Sequence, residues 1–341
     1  MIGYVFERGS FMFNDVLYTV NKKYLLVFLA SLTSLLRNSN LDNIRIHLVT
    51  DDFDKDDFDK VYEVIAKFPG TKINCYNIDW FDIERFDIPD WRGTQIANAR
   101  LFLSSVIDTH DVHNILYLDA DTIVVGDLNG LMDNYSESVI AACYDGCVKS
   151  YGESLGLNKY YNSGVLFINV DKWEEIEAQE RILYAIKNTE HELNFPDQDI
   201  LNIALKDFYD TLPVEYNMAP YIYAFDEKKG KRYFNKDKKY ISYEMAKEGM
   251  KDPKILHTIG LFGVKPWMEN DVNPFNDIFM EYLRSVDPTF TREELPLYKR
   301  IFTFNKDLFY TILTARTYLP KSVEEKARKL SLNLQQQKKK K

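Results

Sequence analysis

Two aspartates that stand one residue apart, Asp119 and Asp121, have the type and spacing that most clearly suggest chemistry in this chain. An apolar run precedes them at residues 114–118, and a second one follows at residues 122–125. Two carboxylates at the end of a strand can face one ion if the chain turns between them, and hard divalent cations prefer oxygen ligands. The pattern therefore predicts a metal site, with a solvated turn or helix-capping acids as the alternative.

The chain lacks the two common glycine-rich phosphate cradles. No GxGxxG follows the first predicted strand, and GxxxxGK[ST] does not occur. A phosphate ligand would then have to be neutralised in another way. A cation held by carboxylates is the usual substitute, because it bridges phosphate oxygens as a Lewis acid.

Strands and helices alternate through about the first 120 residues, which predicts a largely parallel, doubly wound sheet. Ligands of such sheets bind beyond the carboxyl ends of the strands, and this places Asp119 and Asp121 in the expected crevice. The predicted strands cover residues 15–20, 44–50, 71–78, 114–118, 138–142, 164–170 and 255–257. The predicted helices cover residues 24–36, 53–68, 95–107, 171–188, 197–205 and 271–286. Residues 211–254 are predicted to be a loop-rich region that faces an acceptor.

The bulk composition is that of a protein with a substantial core. The 341 residues are 45% hydrophobic and 28% charged, enough for one large α/β domain with an appendage. Three cysteines do not suggest a disulfide framework and favour a reducing compartment. The longest uncharged run, residues 24–36, is shorter than the roughly 20 residues of a membrane span and is placed unlike a signal peptide. We expect a cytoplasmic protein.

Charge is distributed unevenly along the chain, whose net charge is −9. From Leu297 onward there are twelve Lys or Arg against three Asp or Glu, so the preceding residues carry a net charge of −18. Such an acidic body argues against nucleic acid as a partner. Basic and aromatic residues interleave over residues 297–319, which suits peripheral contact with the inner face of a membrane, or equally a helix packed on the main domain. The closing residues 335–341 (QQQKKKK) are expected to be disordered.

Five sequence blocks within residues 16–267 resemble those of glycosyltransferase family 8, in the same order. The family comprises retaining enzymes of the GT-A fold, among them lipopolysaccharide galactosyl- and glucosyltransferases and glycogenin. The resemblance implies an α/β GT-A domain over residues 1–290, with a Rossmann-like mixed sheet, and a helical C-terminal appendage over residues 291–341. The blocks are NARLFL (98–103), ILYLDADTIVVGDL (115–128), YNSGVLFIN (161–169), DQDILN (197–202) and a histidine followed by KPW (257–267).

The resemblance also assigns roles to individual residues. It implies that Asp119, Asp121 and His257 ligate the cation, with Mn²⁺ expected and Mg²⁺ as second choice. The residues that would contact the nucleotide-sugar donor include the two aspartates and also Asn21, Tyr24, Arg100, Ala120 and Lys265. The residues that would line the donor sugar and the reaction region are Asp145, Asn162, Asp197 and Gln198.

Two features depart from the family pattern. Asn21 stands where the family usually has an acid that accepts a hydrogen bond from the uracil ring, and an amide carbonyl accepts the same bond less strongly. His257 and Lys265 are eight positions apart where the family has six, so Lys265 is expected to approach the phosphates from a shifted loop.

The expected function is therefore retaining transfer of a hexose from UDP-glucose or UDP-galactose to a glycan or glycolipid acceptor. Same-face attack by the acceptor, assisted by the leaving phosphate, is favoured, while a covalent intermediate on Asp197 or Asp145 stays open. Two alternatives are self-glucosylation of a tyrosine, as in glycogenin, and a catalytically silent nucleotide-sugar-binding protein. A nucleotidyltransferase is disfavoured because its glycine-rich, basic first-strand loop is absent.

Overall fold

The computed structural model describes residues 13–78, 88, 94–135, 137–145, 149–224, 227–234, 241–259, 264–269, 272–295 and 300. Its strands are β1 (Asn14–Thr19), β2 (Ile44–Thr50), β3 (Lys72–Asn77), β4 (Asn114–Leu118), β5 (Thr122–Val124), β6 (Ile140–Tyr144), β7 (Tyr161–Asn169), β8 (Tyr209–Leu212) and β9 (Ile255–His257). Seven of them form one sheet in the order β3-β2-β1-β4-β7-β6-β8.

The sheet is mixed in strand direction. β3, β2, β1 and β4 run parallel to one another, as their alternation with helices predicts. β7 lies antiparallel to both β4 and β6, and β8 runs parallel to β6. The expectation of a Rossmann-like mixed sheet is thereby confirmed.

A second, two-stranded sheet pairs β5 with β9 in antiparallel register. Thr122 is opposite His257, and Val124 is opposite Ile255. The pairing ties the segment just after Asp121 to a strand more than 130 positions further along the chain. β5 was not among the strands predicted from the sequence.

Helices cover both faces of the main sheet. They are α1 (Leu25–Asn38), α2 (Lys55–Ile65), α3 (Leu103–Val106), α4 (Asn129–Asn134), α5 (Lys149–Ser154), α6 (Val170–Glu175), α7 (Ala178–Asn188), α8 (Pro196–Ala204), α9 (Pro220–Ala224), α10 (Glu227–Phe234), α11 (Tyr243–Gly249) and α12 (Asn276–Val286). Successive residues of β4 alternate between the two apolar cores, since Leu116 lies in one and Tyr117 in the other. None of the helices in the described ranges is long and apolar enough to cross a membrane.

The structure corrects several of the predicted elements. Residues 96–102 form a 3-10 helix in place of the first part of the predicted α-helix. The helix predicted over residues 171–188 is interrupted at Glu177, which has a left-handed backbone with φ 53°. The predicted helix 271–286 begins only at Asn276.

The loop-rich prediction for residues 211–254 was also wrong. This region contains α9, α10, α11 and a 3-10 helix, Val214–Asn217. Their apolar residues, including Ile222, Phe234 and Ala246, are buried in a third core. Elements this short are stabilised by tertiary packing, which a local pattern does not reveal. The predicted extension 291–341 lies outside the described residues apart from 291–295 and 300, so its helical and membrane-binding character stays a prediction, as does the domain boundary at 290.

Candidate functional site

Asp119 and Asp121 lie directly after β4, where the chain turns sharply. The backbone N–H of Asp119 donates to the carbonyl of Gly164 at 2.8 Å, which continues the β4–β7 pairing by one bond. Thr122 then closes the turn, because its N–H and its hydroxyl both donate to the Asp119 carbonyl, at 3.1 and 2.8 Å. The turn brings both carboxylates to the same edge of the sheet.

His257 reaches the two aspartates from β9. Its Nε2 lies 3.5 Å from Asp119 Oδ2 and 3.4 Å from Asp121 Oδ1. Thr258, the next residue, donates its N–H and its hydroxyl to the Asp121 carbonyl, and these bonds fix the two segments side by side. One ligand atom from each of the three side chains lies within 4.8 Å of the others, so the group could hold a single metal ion.

Gly164 in β7 leaves the space that this convergence needs. A Cβ atom at this position would stand 2.1 Å from His257 Cε1 and 2.7 Å from Asp119 Oδ2. Real Cβ contacts are essentially never shorter than 3.0 Å, so any side chain here would displace the imidazole or the carboxylate. The glycine of the YNSGVLFIN block is thus required by the close approach of His257 to β7.

Lys265 forms an ion pair with Asp121, and both side chains are largely buried. Burial by itself favours the protonated carboxyl, but the charge of Lys265 outweighs it and holds the pKa of Asp121 well below its usual range. The ammonium also lies 5.4 Å from the ring centroid of Trp267. The lysine therefore stands beside the predicted cation site, although residues 260–263 of the connecting loop are outside the described ranges.

Arg100 is buried and holds the other oxygen of Asp119. Its Nη2 donates to Asp119 Oδ1 at 2.8 Å, its Nη1 donates to the Ser163 carbonyl at 2.8 Å, and its Nε lies 3.4 Å from Asp197 Oδ2. Tyr117 donates its hydroxyl to the same Asp119 oxygen at 2.9 Å, and the guanidinium carbon lies 4.2 Å from the centre of its ring. These bonds leave Oδ2 of Asp119 as the oxygen that faces His257. A direct contact of Arg100 with the diphosphate stays a prediction.

The four residues predicted to line the reaction region lie together where β6 ends and where β7 and α8 begin. The Asn162 side chain donates to Gln198 Oε1 at 3.2 Å and to Asp145 Oδ2 at 3.5 Å. Gln198 Oε1 also accepts the backbone N–H of Ser163 at 3.0 Å, and the Ser163 hydroxyl donates to Asp197 Oδ2 at 3.0 Å. Burial raises the pKa of Asp197 despite the opposing charge of Arg100.

Asn217 was missed by the sequence analysis, although it touches both groups of predicted residues. Its side chain meets Nδ1 of His257 at 2.9 Å and Oδ1 of Asn162 at 2.8 Å, and it is buried. It lies within residues 211–254, which were predicted to be loop-rich. A lone asparagine in such a segment gives no signal of a site.

Two of the residues predicted to contact the donor, Asn21 and Tyr24, lie just before α1. Asn21 donates its Nδ2 to the Thr94 hydroxyl at 3.2 Å, while its buried Oδ1 has no hydrogen-bond partner in the described part of the chain. Tyr24 is half-buried and packs edge-on against Trp267, with ring centroids 6.1 Å apart. Ala120, between the two aspartates, is buried. Each of these contacts with a donor stays a prediction.

The fold is the GT-A fold of glycosyltransferases. The chain superposes on the crystal structure of the galactosyltransferase LgtC with donor and acceptor sugar analogues, with a TM-score of 0.64, 22% identity and coverage of 84% of this chain and 99% of that one. It also superposes on the glycosyltransferase GlyE of Streptococcus pneumoniae TIGR4, with a TM-score of 0.57, 24% identity and coverage of 79% and 60%.

The sequence relatives narrow this class to a family. A sequence model of Glycosyl transferase family 8 matches residues 15–271, and the chain belongs to that family. The lipopolysaccharide 1,2-glucosyltransferase of Escherichia coli K12 is 25% identical over 268 residues, which are 76% of this chain and 74% of that protein. The lipopolysaccharide 1,3-galactosyltransferase of Salmonella typhimurium LT2 is 25% identical over 286 residues, 78% and 77% of the two chains. The enzyme class is that of a family 8 hexosyltransferase.

Proposed function

We propose that this protein transfers a hexose, with retention of configuration, from UDP-glucose or UDP-galactose to a glycan or glycolipid acceptor, with the help of a divalent cation. The observation that carries the proposal is the convergence of Asp119, Asp121 and His257 from two distant segments within 4.8 Å. The relatives that act on lipopolysaccharide support a saccharide acceptor of that general kind.

The three side chains fit a first-row divalent cation. Two carboxylate oxygens and one imidazole nitrogen suit Mn²⁺, which accepts nitrogen more readily than Mg²⁺ does. A cation held by Asp119, Asp121 and His257 would act as a Lewis acid that stabilises the negative charge of the departing diphosphate. Asp119 Oδ1 already accepts bonds from Arg100 and Tyr117, so these two residues would hold the carboxylate with Oδ2 turned to the ion.

Lys265 would supply a second positive charge for the departing UDP. Its ammonium is paired with Asp121 and lies over the ring of Trp267, 5.4 Å from the ring centroid, so its charge is held beside the proposed cation site. A point charge at this place stabilises the leaving group most when the bond to the anomeric carbon breaks.

Asn162, Gln198 and Asp145 would orient the sugar for attack. Their hydrogen bonds with one another hold the amide groups in one arrangement, which favours a preorganised site. Asp197 Oδ2 is engaged by Ser163 and Arg100, which makes this residue a poor nucleophile. We therefore favour attack by the acceptor hydroxyl on the face that UDP leaves: the anomeric carbon–phosphate oxygen bond breaks, the new glycosidic bond forms, and the hydroxyl proton passes to the leaving phosphate.

The Asn21 side chain supports uracil as the base. Its buried Oδ1 lacks a partner among the described residues, and the N3–H of uracil would satisfy it, as would the N1–H of guanine. A thermal-shift panel with Mn²⁺ tests this assignment. A nucleotide sugar at 100 times its Kd adds about 2.7 kcal/mol of stability. We expect UDP-hexoses to raise the Tm by several degrees, and a larger shift with GDP-mannose would contradict uracil.

Release of UDP from the donor tests the central proposal. We expect release with Mn²⁺, none with EDTA, and a decrease of at least about 100-fold in Asp121→Ala, since a metal ion contributes several kcal/mol to such reactions. Asp133→Ala changes an exposed aspartate of α4 and is the matched control. Turnover that persists in Asp121→Ala would refute the metal assignment.

A glycolipid acceptor would place the reaction at a membrane surface, and the basic, aromatic segment 297–341 would provide the contact. The segment is outside the described residues apart from Arg300, so the proposal depends on its composition alone. Co-sedimentation with anionic liposomes tests it. If the protein truncated after Pro296 still binds the liposomes as the full chain does, the proposed membrane contact is wrong.

A further inference from the structure

Asn217 joins the proposed cation site to the residues around the donor sugar. One end of its amide faces Nδ1 of His257 at 2.9 Å, and the other end faces Oδ1 of Asn162 at 2.8 Å. Both Asn217 and His257 are buried, with 6% and 4% of their surface exposed. The backbone reinforces the contact, because the N–H of His257 donates to the Met218 carbonyl at 3.0 Å.

The hydrogen bonds determine which way round the amide of Asn217 stands. Asn162 Oδ1 accepts the backbone N–H of Gly164 at 3.0 Å, so this atom is an acceptor. The Asn217 atom beside it must then be the Nδ2 donor. The Asn217 oxygen therefore faces His257, and Nδ1 of the imidazole must carry the proton that it accepts.

Protonation of Nδ1 has a direct consequence for the other ring nitrogen. A neutral imidazole carries one proton, so Nε2 presents its lone pair. Nε2 lies 3.4 Å from Asp121 Oδ1 and 3.5 Å from Asp119 Oδ2, so an unprotonated Nε2 can share a cation with these two oxygens. The opposite tautomer would donate Nε2–H to the aspartates and block the site.

We propose that Asn217 is a positioning residue that holds His257 in its Nδ1-protonated tautomer and so keeps Nε2 available as a ligand. The inference rests on the cation site of the proposed function. It adds a residue that orients a ligand without touching the ion, a relation that tunes metal affinity in other proteins. The Asn217 amide also donates to Asn162, so the side chains of His257 and Asn162 are both positioned by Asn217.

Nitrogen-15 NMR of the histidines, in protein without metal at a pH where the ring is neutral, tests the tautomer directly. The chain has five histidines, and the signals of His257 are identified by their loss in His257→Gln. We expect Nδ1–H in the wild type, a shift towards Nε2–H in Asn217→Leu and Asn217→Ala, and retention of Nδ1–H in Asn217→Asp, which keeps an acceptor. An unchanged tautomer in Asn217→Leu or Asn217→Ala, or an Nε2–H wild type, would overturn the proposal.

Titration with Mn²⁺ alone, followed by electron paramagnetic resonance of the free ion, gives the second readout. We expect Asn217→Leu to bind about 10–100-fold more weakly, and Asn217→Asp to bind close to the wild type. Asn169→Ala is the control, because it removes a buried asparagine that caps α6 and costs stability away from the site. A wild type that does not bind Mn²⁺ would refute the proposed metal function, while a folded Asn217→Leu that binds like the wild type would refute only the role of Asn217.

Discussion

Gly164→Ala should weaken metal binding in a protein that still folds. The added Cβ would stand 2.1 Å from His257 Cε1, about 1.4 Å short of an ordinary carbon–carbon contact of about 3.5 Å. Val165, the next residue, is paired with Leu118, and the Gly164 carbonyl accepts the N–H of Asp119, so β7 yields less readily than the imidazole does. Metal–ligand distances tolerate changes of only about 0.2 Å. The required displacement of His257 therefore exceeds this tolerance severalfold.

The expected result is loss of the imidazole ligand in a protein that still folds. Overpacking of this kind costs about 1–3 kcal/mol of stability. We expect the affinity for Mn²⁺ to fall by at least about 100-fold, the upper end of the range for changes that only reorient a ligand. Isothermal titration with Mn²⁺ and urea unfolding of the same samples measure the two effects separately.

Gly70→Ala provides a matched control for the loss of stability. Gly70 lies between α2 and β3 with φ 92°, and a Cβ there would meet nothing within 4 Å. Its substitution costs about 1–3 kcal/mol through backbone strain alone, and we expect no change in Mn²⁺ affinity. If folded Gly164→Ala binds Mn²⁺ as the wild type does, His257 is not held against β7 as the structure places it, and the reasoning fails.

Three further predictions address the surrounding charges and the acceptor. Burial opposes the charge of Asp121, but the charge of Lys265 lowers the pKa of this carboxyl below its unfolded value. The ion pair therefore stabilises the fold above about pH 4, and this stabilisation is lost as the pH falls through the folded-state pKa. Lys265→Met should therefore unfold at lower urea than the wild type at pH 7, with a gap that narrows below pH 4; an equal gap at both pH values would contradict this. Tyr160→Phe removes a buried hydroxyl that donates to Asp199, and it should cost about 1.5–3 kcal/mol in urea unfolding, whereas Tyr184→Phe, at a side chain 70% exposed, should cost almost nothing. Incubation with UDP-glucose and Mn²⁺ should leave the intact mass of the protein unchanged, and an added hexose would support self-glucosylation instead.

Much of the parallel half of the sheet follows from the sequence. The predicted strands 15–20, 44–50, 71–78 and 114–118 agree with β1 to β4 to within a residue at each end. The apolar runs of β1, β2 and β4 are buried along almost their whole length, so local hydrophobicity and strand position coincide there, whereas β3, at the edge of the sheet, is exposed or half-buried. The end of β4 could also be predicted, since charged residues after an apolar run indicate where a strand leaves the sheet.

Only part of the candidate site could be predicted from the sequence. The pair Asp119 and Asp121 stands out locally, but His257 was assigned to it by family resemblance, because nothing in a short apolar strand marks a histidine as a ligand. Asn217 escaped notice altogether, since its segment lacks a strong helical or strand period. Its partners, Asn162 and His257, are 55 and 40 positions away.

The sequence by itself determined the alternation of strands and helices, the turn that carries two carboxylates, and the family to which these blocks belong. Only the tertiary structure decided that β9 pairs with β5 beside that turn, that Gly164 must lack a side chain, and that Asn217 orients the imidazole. The hydrophobic pattern of a segment indicates which of its own residues are buried, over a few neighbouring positions. Contacts between residues tens of positions apart depend on how the packed layers meet, and no local period contains that information.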